Sequence, residues 1–234
     1  MCRGGKRPCF ELGAVPATWS QAALLVPPDW FIAQLEPLVQ AIRLAAAGDV
    51  PAARSVLKEV EESRLRTWYV EHGQVSGNCR VYVLRSPLAT AVAKPVGPRD
   101  PTETIARDVL ERDDYTCQYC AVPLIPKAVF GQFSKVVGAT AFRATGNNTE
   151  RHGAVLAFRA NVDHVFPWNL GGTTTADNLV AACWCCNYGK ANFTLEQLGL
   201  RDPRNSQIRP PTRWSGLTEL IPALKAVARR NLQS

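Results

Sequence analysis

The chain has 234 residues, of which 46% are hydrophobic and 20% are charged. These proportions exclude a disordered or low-complexity chain, and the length allows one large domain or two small ones. No apolar stretch reaches the roughly 18 residues of a membrane-spanning helix, and the N-terminal sequence MCRGGKR lacks the apolar run of a signal peptide. We therefore expect a cytoplasmic protein without membrane association. The net charge of +7 is a weak indication of a polyanionic partner.

The N-terminal part of the chain predicts helices. Apolar residues recur at helical spacing over 30–44, and Gly48 ends the run. Asp49 is the predicted cap of a second helix, with Pro51 in its first turn. The two segments predict a helical hairpin, and we expect residues 1–86 to form a mainly helical domain.

A proline-rich stretch follows this part of the chain. Its prolines are Pro87, Pro95, Pro98 and Pro101. Because proline interrupts regular structure, we expect a stiff linker over 87–103. The second domain then spans 104–234. It is predicted to begin with a short amphipathic helix over 104–112 and to end with a helix over 217–232.

The middle of the second domain has strand-like composition. Residues 133–142 and 155–162 are rich in β-prone side chains, and the turn signature Thr145-Gly146-Asn147-Asn148 lies between them. This pattern predicts a β-hairpin.

The chain has eight cysteines, and five of them lie in two tight clusters. Each cluster contains a C-x-x-C knuckle, a spacing that suits a tetrahedral zinc site better than a disulfide. Cys185 is an alternative to Cys186, but it leaves only one residue after Cys183 and makes a poorer chelate turn. The predicted structural zinc ligands are Cys117, Cys120, Cys183 and Cys186.

Further motifs lie between and after the knuckles. They are Asp163-His164-x-x-Pro167, Gly171-Gly172, Asn178-Leu179-Val180-x-x-Cys183 and Cys186-Asn187-x-x-Lys190. Together with the first knuckle they resemble the HNH endonuclease family in its zinc-binding four-cysteine variant, over about residues 105–200. The resemblance implies an α+β fold, with a mainly helical N-terminal domain followed by a C-terminal ββα-metal domain that holds a structural zinc ion.

The resemblance also implies where the site residues lie. Asp163 and His164 end the first strand, Asn178 opens the second, and Asn187 lies on the following helix. His164 is the candidate general base, because an imidazole accepts a proton near neutral pH. Asp163 supplies a hard carboxylate oxygen to a catalytic Mg²⁺ or Mn²⁺, and Asn187 adds a neutral carbonyl ligand.

Two further residues receive expected roles. The Asn178 amide is expected to pin the loop that carries His164, or to orient the imidazole. Lys190, one helical turn after Asn187, is expected to reach the substrate phosphate as a point charge. Trp168 and Trp184 either stack on nucleic acid or shield the zinc sulfurs from water.

Two regions leave alternatives open. The basic residues Arg201, Arg204, Arg209 and Arg213 are either a solvated loop or phosphate contacts beside the site. The long gap between Cys120 and Asp163 indicates an insertion over 121–162, which either shapes substrate choice or widens the sheet.

The sequence thus predicts a metal-dependent DNA endonuclease that nicks duplex DNA with a one-metal site, in a role such as phage defence or restriction. The N-terminal domain is a candidate surface for recognition or for a protein partner. Two alternatives remain open: a non-catalytic zinc-knuckle module that binds nucleic acid, and an RNase or toxin nuclease.

Overall fold

The computed structural model describes residues 27–73, 90, 95, 97–205, 207–209 and 213–231. The predicted linker over 87–103 lies partly outside these residues, as does most of the chain before α1. The division into domains 1–86 and 104–234 therefore stays a prediction.

The described residues form an α+β structure with ten α-helices and two strands. The helices are α1 Asp29–Ala33, α2 Leu35–Ala47, α3 Val50–Leu57, α4 Glu62–Trp68, α5 Glu103–Arg112, α6 Lys127–Val137, α7 Gly153–Phe158, α8 Trp184–Lys190, α9 Leu195–Leu198 and α10 Ile221–Asn231, and the strands are β1 Ala160–His164 and β2 Leu179–Cys183. Among these helices none is both long enough and apolar enough to span a bilayer.

The N-terminal helical hairpin is confirmed. The buried side chains of α2 are spaced three and four residues apart, as an amphipathic helix requires. Gly48 ends this helix in the left-handed conformation, with φ +94°. The Asp49 carboxylate accepts the backbone N–H of Ala52 at 3.0 Å and caps α3. The predicted helices over 104–112 and at the C-terminus are confirmed as α5 and α10.

The two strands and α8 give the expected order of a strand, a strand and a helix. β1 pairs with β2 antiparallel, with Asp163 opposite Val180 and His164 opposite Leu179. α8 starts directly after β2 and packs against both strands. Asp163 and His164 therefore end the first strand, as predicted, and Asn178 immediately precedes the second.

The predicted hairpin over 133–142 and 155–162 is wrong. Residues 127–137 are helix α6, whose buried side chains fall on one helical face. Residues 153–158 are helix α7, in which all six residues are buried, so no periodicity revealed the helix in the sequence. The turn near Asn147 is present, because its side-chain oxygen accepts the N–H of Thr149 and Glu150, but it joins two helices.

The N-terminal helices share a hydrophobic core with the part of the chain that follows α5. α2 packs on α6 and α10, and α4 packs on α7. The contact between α4 and α7 is very close, since a Cβ atom on Gly153 would lie 2.1 Å from the Glu62 carbonyl oxygen. Arg66 on α4 donates to the carbonyl oxygens of Asn148 and Thr149. These contacts hold α4 against the element that leads into β1.

Candidate functional site

The two cysteine knuckles meet at one point. The first knuckle follows α5, and the second joins β2 to α8. The sulfur atoms of Cys117, Cys120, Cys183 and Cys186 all lie within 4.8 Å of one another. The structure thus confirms the predicted four-cysteine cluster.

The cluster fits a zinc ion. A tetrahedral site with Zn–S bonds of about 2.3 Å has sulfur–sulfur edges of about 3.8 Å. The sulfurs of Cys120 and Cys183 lie 3.7 Å apart. Hydrogen bonding from Cys117 holds the pKa of the Cys183 thiol well below its ordinary value, and the N–H of Cys186 also points at the Cys183 sulfur, at 3.3 Å. These contacts favour the thiolate form at Cys183, whereas hydrogen bonding with Cys117 raises the pKa of Cys120 and of Cys186. Cys185 is buried but is not part of the cluster.

A polar cleft of about 590 Å³ lies beside β1 and α8. Its walls include Asp163 and His164 from β1 and Asn187 and Lys190 from α8. Four of the five residues that the sequence assigned to catalysis and cation binding thus line one cleft, and the fifth, Asn178, does not line it. Arg99 and Asp100, from the segment before α5, line the same cleft.

His164 is held by a hydrogen bond that the sequence did not predict. Its Nε2 atom lies 3.0 Å from the Thr174 hydroxyl, and this hydroxyl donates its hydrogen to the Pro98 carbonyl at 2.6 Å. Because the hydroxyl has only one hydrogen, it accepts from Nε2–H. The Nδ1 atom is then the unprotonated nitrogen, which is the one able to accept a proton.

The environment also keeps this imidazole neutral. Partial burial lowers the pKa of His164, and the positive charges of Lys190 and Arg99 lower it further. The ring therefore accepts a proton at neutral pH without already carrying one.

Asp163 is buried and shares its carboxylate with two neighbours. The Tyr119 hydroxyl donates to its Oδ2 atom at 2.7 Å, and the Lys190 ammonium lies 3.2 Å from the same oxygen. Burial raises the pKa of Asp163, while the charge of Lys190 and the Tyr119 hydrogen bond oppose that rise. Lys190 is fully buried at this position, whereas the sequence analysis expected it to extend toward a phosphate.

Asn178 organises the loop between the strands. Its Oδ1 atom accepts the N–H of Phe166 at 2.9 Å, and its Nδ2 atom donates to the carbonyl oxygens of Phe166 and Thr173 at 3.0 and 2.9 Å. Gly172 completes this packing, because an added Cβ would lie 2.0 Å from the Phe166 carbonyl oxygen. The loop that carries Thr174 is therefore fixed at both ends.

The cleft offers oxygen ligands of the kind that Mg²⁺ and Mn²⁺ prefer. Asp163 contributes a carboxylate, and Asn187 contributes an amide whose Nδ2 donates to the Val162 carbonyl at 3.3 Å. That hydrogen bond leaves the Asn187 oxygen available to a cation. The residues present thus fit one hard cation, although the Lys190 ammonium already pairs with the Asp163 carboxylate.

The structure shows where the two tryptophans and the downstream arginines lie, whose roles the sequence left open. Trp184 is buried, and its ring contacts Tyr69 and Tyr188, so it packs inside the protein, whereas Trp168 lines the cleft. Three of the four downstream arginines pair with carboxylates: Arg204 with Asp202, and Arg209 and Arg213 with Asp114.

Residues 153–193 match the model of the HNH endonuclease family. This segment is therefore similar to HNH endonucleases. The HNH segment contains α7, both strands, α8 and the second knuckle, while the first knuckle lies before it. The match indicates nuclease activity as a general class. Searches of curated proteins and of solved structures gave no significant match.

Proposed function

We propose that the protein is a metal-dependent endonuclease that hydrolyses a phosphodiester bond of duplex DNA, one strand at a time. The observation that carries the proposal is the neutral, oriented imidazole of His164 in the same cleft as the oxygens of Asp163 and Asn187. Hydrolysis needs a base for the attacking water and positive charge near the phosphoryl oxygens, and this cleft places groups suited to both needs together.

In this mechanism His164 is the general base. Its Nδ1 atom takes the proton of the attacking water, while Nε2–H stays bonded to Thr174. The resulting imidazolium is stabilised by that hydrogen bond. Asn178 keeps the loop in place, and thereby holds the Thr174 hydroxyl at hydrogen-bond distance from Nε2 of His164.

Asp163 and Asn187 would hold the catalytic cation. When bound, Mg²⁺ or Mn²⁺ stabilises the negative charge on the phosphoryl oxygens and on the departing 3′ oxygen. Because Lys190 offsets the Asp163 charge, the protein alone offers the cation little net negative charge. We therefore expect the substrate phosphate to contribute to cation binding.

Lys190 receives a different role from the one that the sequence suggested. Its buried ammonium favours the ionised form of the Asp163 carboxylate against the rise in pKa that burial causes, and this carboxylate is the proposed anionic ligand. The zinc cluster has no open ligand position, so it is scaffolding for α8 and contributes no catalytic group. A thiolate zinc site is best preserved in a reducing compartment, which supports a cytoplasmic location.

The test is a plasmid nicking assay with Mg²⁺ or Mn²⁺, which compares the wild type with His164→Ala. We expect wild-type nicking and a loss of about 10²- to 10⁴-fold in the variant. Because the pKa of His164 is lowered, the wild-type rate should rise with pH, with the midpoint of the rise below the ordinary histidine pKa of about 6.5.

Three outcomes would contradict the proposal. If neither protein nicks DNA with any divalent cation, the non-catalytic zinc module is favoured. Cleavage of RNA alone favours the RNase alternative. If His164→Ala keeps wild-type activity at unchanged zinc content, the imidazole is not the base.

A further inference from the structure

Two neighbouring arginines, Arg151 and Arg159, have no acidic partner in the part of the chain that the structure describes. Arg159 precedes β1, and its guanidinium lies over the Trp184 ring, with the central carbon 4.8 Å from the ring centroid. Arg151 lies near the same ring at 5.3 Å. Among the described residues, no carboxylate forms an ion pair with either side chain, in contrast to Arg204, Arg209 and Arg213.

The Arg159 side chain is half-buried and lacks an acceptor. Its Nε atom is buried without a hydrogen-bond partner, as is the Nε of Arg151. Arg151 has one side-chain bond, from Nη1 to the Asn148 amide oxygen at 2.6 Å. Burial and the nearby charge of Arg151 lower the pKa of Arg159, which reflects repulsion between two desolvated cations. Such an arrangement is costly unless an anion completes it.

The pair is continuous with the cleft. Tyr188, which is 37% exposed, packs on Trp184, the ring over which Arg159 lies, and lines the cleft beside Asn187. Arg159 also lies four residues before Asp163, or about 13 Å along an extended strand. An anion bound by Arg159 is therefore a different group from one held at Asp163.

We propose that Arg159 and Arg151, supported by Trp184, form a binding subsite for a backbone phosphate of the nucleic-acid substrate, a few nucleotides from the bond that is cut. A guanidinium binds two phosphate oxygens at once, and the indole below it fixes the plane of the fork. The inference rests on the proposed function for the identity of its ligand, and it names a strand contact outside the HNH motif residues.

The test measures binding without cleavage. A fluorescent DNA duplex is titrated with the full-length, zinc-loaded His164→Ala protein over a series of NaCl concentrations, with and without a second substitution, Arg159→Gln. We expect Arg159→Gln to weaken binding about tenfold and to reduce the slope of log K against log salt by about 1. Arg159→Lys keeps the charge, so it should retain most of the slope.

The matched control is Arg43→Gln, which removes an equal charge from an exposed position on α2. Zinc content and thermal midpoint are compared for every variant, and Arg151→Gln replaces Arg159→Gln under the same criterion if the latter does not fold. The proposal is overturned if Arg159→Gln changes affinity and slope no more than Arg43→Gln, or if Arg159→Lys loses the slope as glutamine does.

Free phosphate is a separate arm of the same test. One outcome is that inorganic phosphate raises the thermal midpoint of the protein with Arg159 and not that of Arg159→Gln, while the substitution leaves duplex affinity unchanged. In that case the site binds the free anion and the proposal is wrong. Failure of the proposed function is distinguishable, because it appears as absent nicking by the wild type. The salt dependence of duplex binding does not require cleavage, so it tests the phosphate subsite whether or not the wild type nicks DNA.

Discussion

The zinc cluster and the cleft are two sites built on the same junction between β2 and α8, but they differ in what surrounds the ligands. Cys183 and Cys186 at the start of α8 face two further sulfurs, and the four close a site with no open position. Later on the same helix, Asn187 lines the open cleft, and the fully buried Lys190 pairs with the Asp163 carboxylate. One helix thus supports a closed scaffold at its first turn and an open reactive cleft at its last.

The two sites differ in the negative charge that they offer a metal ion. The sulfurs supply the negative charge that a resident zinc ion needs. The cleft is lined by two carboxylates, Asp163 and Asp100, and by two cationic side chains, Lys190 and Arg99. Lys190 already pairs with Asp163, so the cleft offers a cation much less net negative charge than the sulfurs do.

The largest expected effect comes from breaking the scaffold. Cys186→Ser should abolish zinc binding and unfold the part of the chain around β2 and α8, because structural zinc sites contribute about 10 kcal/mol or more to folding. Elemental analysis and thermal unfolding measure this. The matched control is Cys185→Ala, which alters a buried neighbour outside the cluster and should keep zinc. Loss of zinc in Cys185→Ala and its retention in Cys186→Ser would show that Cys185 is the ligand.

The next effect concerns the buried ion pair. Lys190→Met leaves the Asp163 carboxylate buried without its cation, which should destabilise the protein by about 3–5 kcal/mol. Denaturant unfolding measures this, with Lys225→Met on the exposed face of α10 as control. Because a divalent cation can replace the lost charge, Mg²⁺ should restore stability more in Lys190→Met than in the wild type. An unchanged free energy of unfolding would show that the pair contributes nothing.

The smallest effect is expected from the hydrogen bond between Thr174 and His164 in the cleft. Thr174→Val removes the acceptor for His164 Nε2–H and should lower kcat about tenfold, with little change in KM. Thr174→Ser keeps the hydroxyl and should restore the rate. Both variants should bind zinc normally, since Thr174 lies outside the cluster. Equal activity of the valine and serine variants would exclude an orienting role for this hydroxyl.

The zinc cluster was predictable because each knuckle is local in sequence. Two cysteines three residues apart form a chelate turn wherever they occur, so only the meeting of the knuckles required the fold. The positions of Asp163, His164 and Asn187 followed from a motif whose elements lie within one short stretch of chain. The α2–α3 hairpin was predictable for a similar reason, since its periodicity and cap are adjacent.

The contacts that the sequence did not reveal are long-range. The Pro98 carbonyl and Thr174 are 76 residues apart, and Tyr119 and Asp163 are 44 apart. Neither threonine nor tyrosine carries a spacing signal for such a partner. Arg159 was missed because a lone arginine in a sequence does not show whether an acid will face it. Helix α7 was mistaken for strand because complete burial removes the polar face that marks a helix.

Gly153 lies where α4 and α7 approach closely, and a methyl group there would collide with the Glu62 carbonyl oxygen. Alanine at this position would therefore force the two helices apart. Because only one residue separates α7 from β1, the displacement would reach the strand that ends in Asp163 and His164. The absence of a side chain at one position outside the cleft thus helps to set where the cleft residues lie.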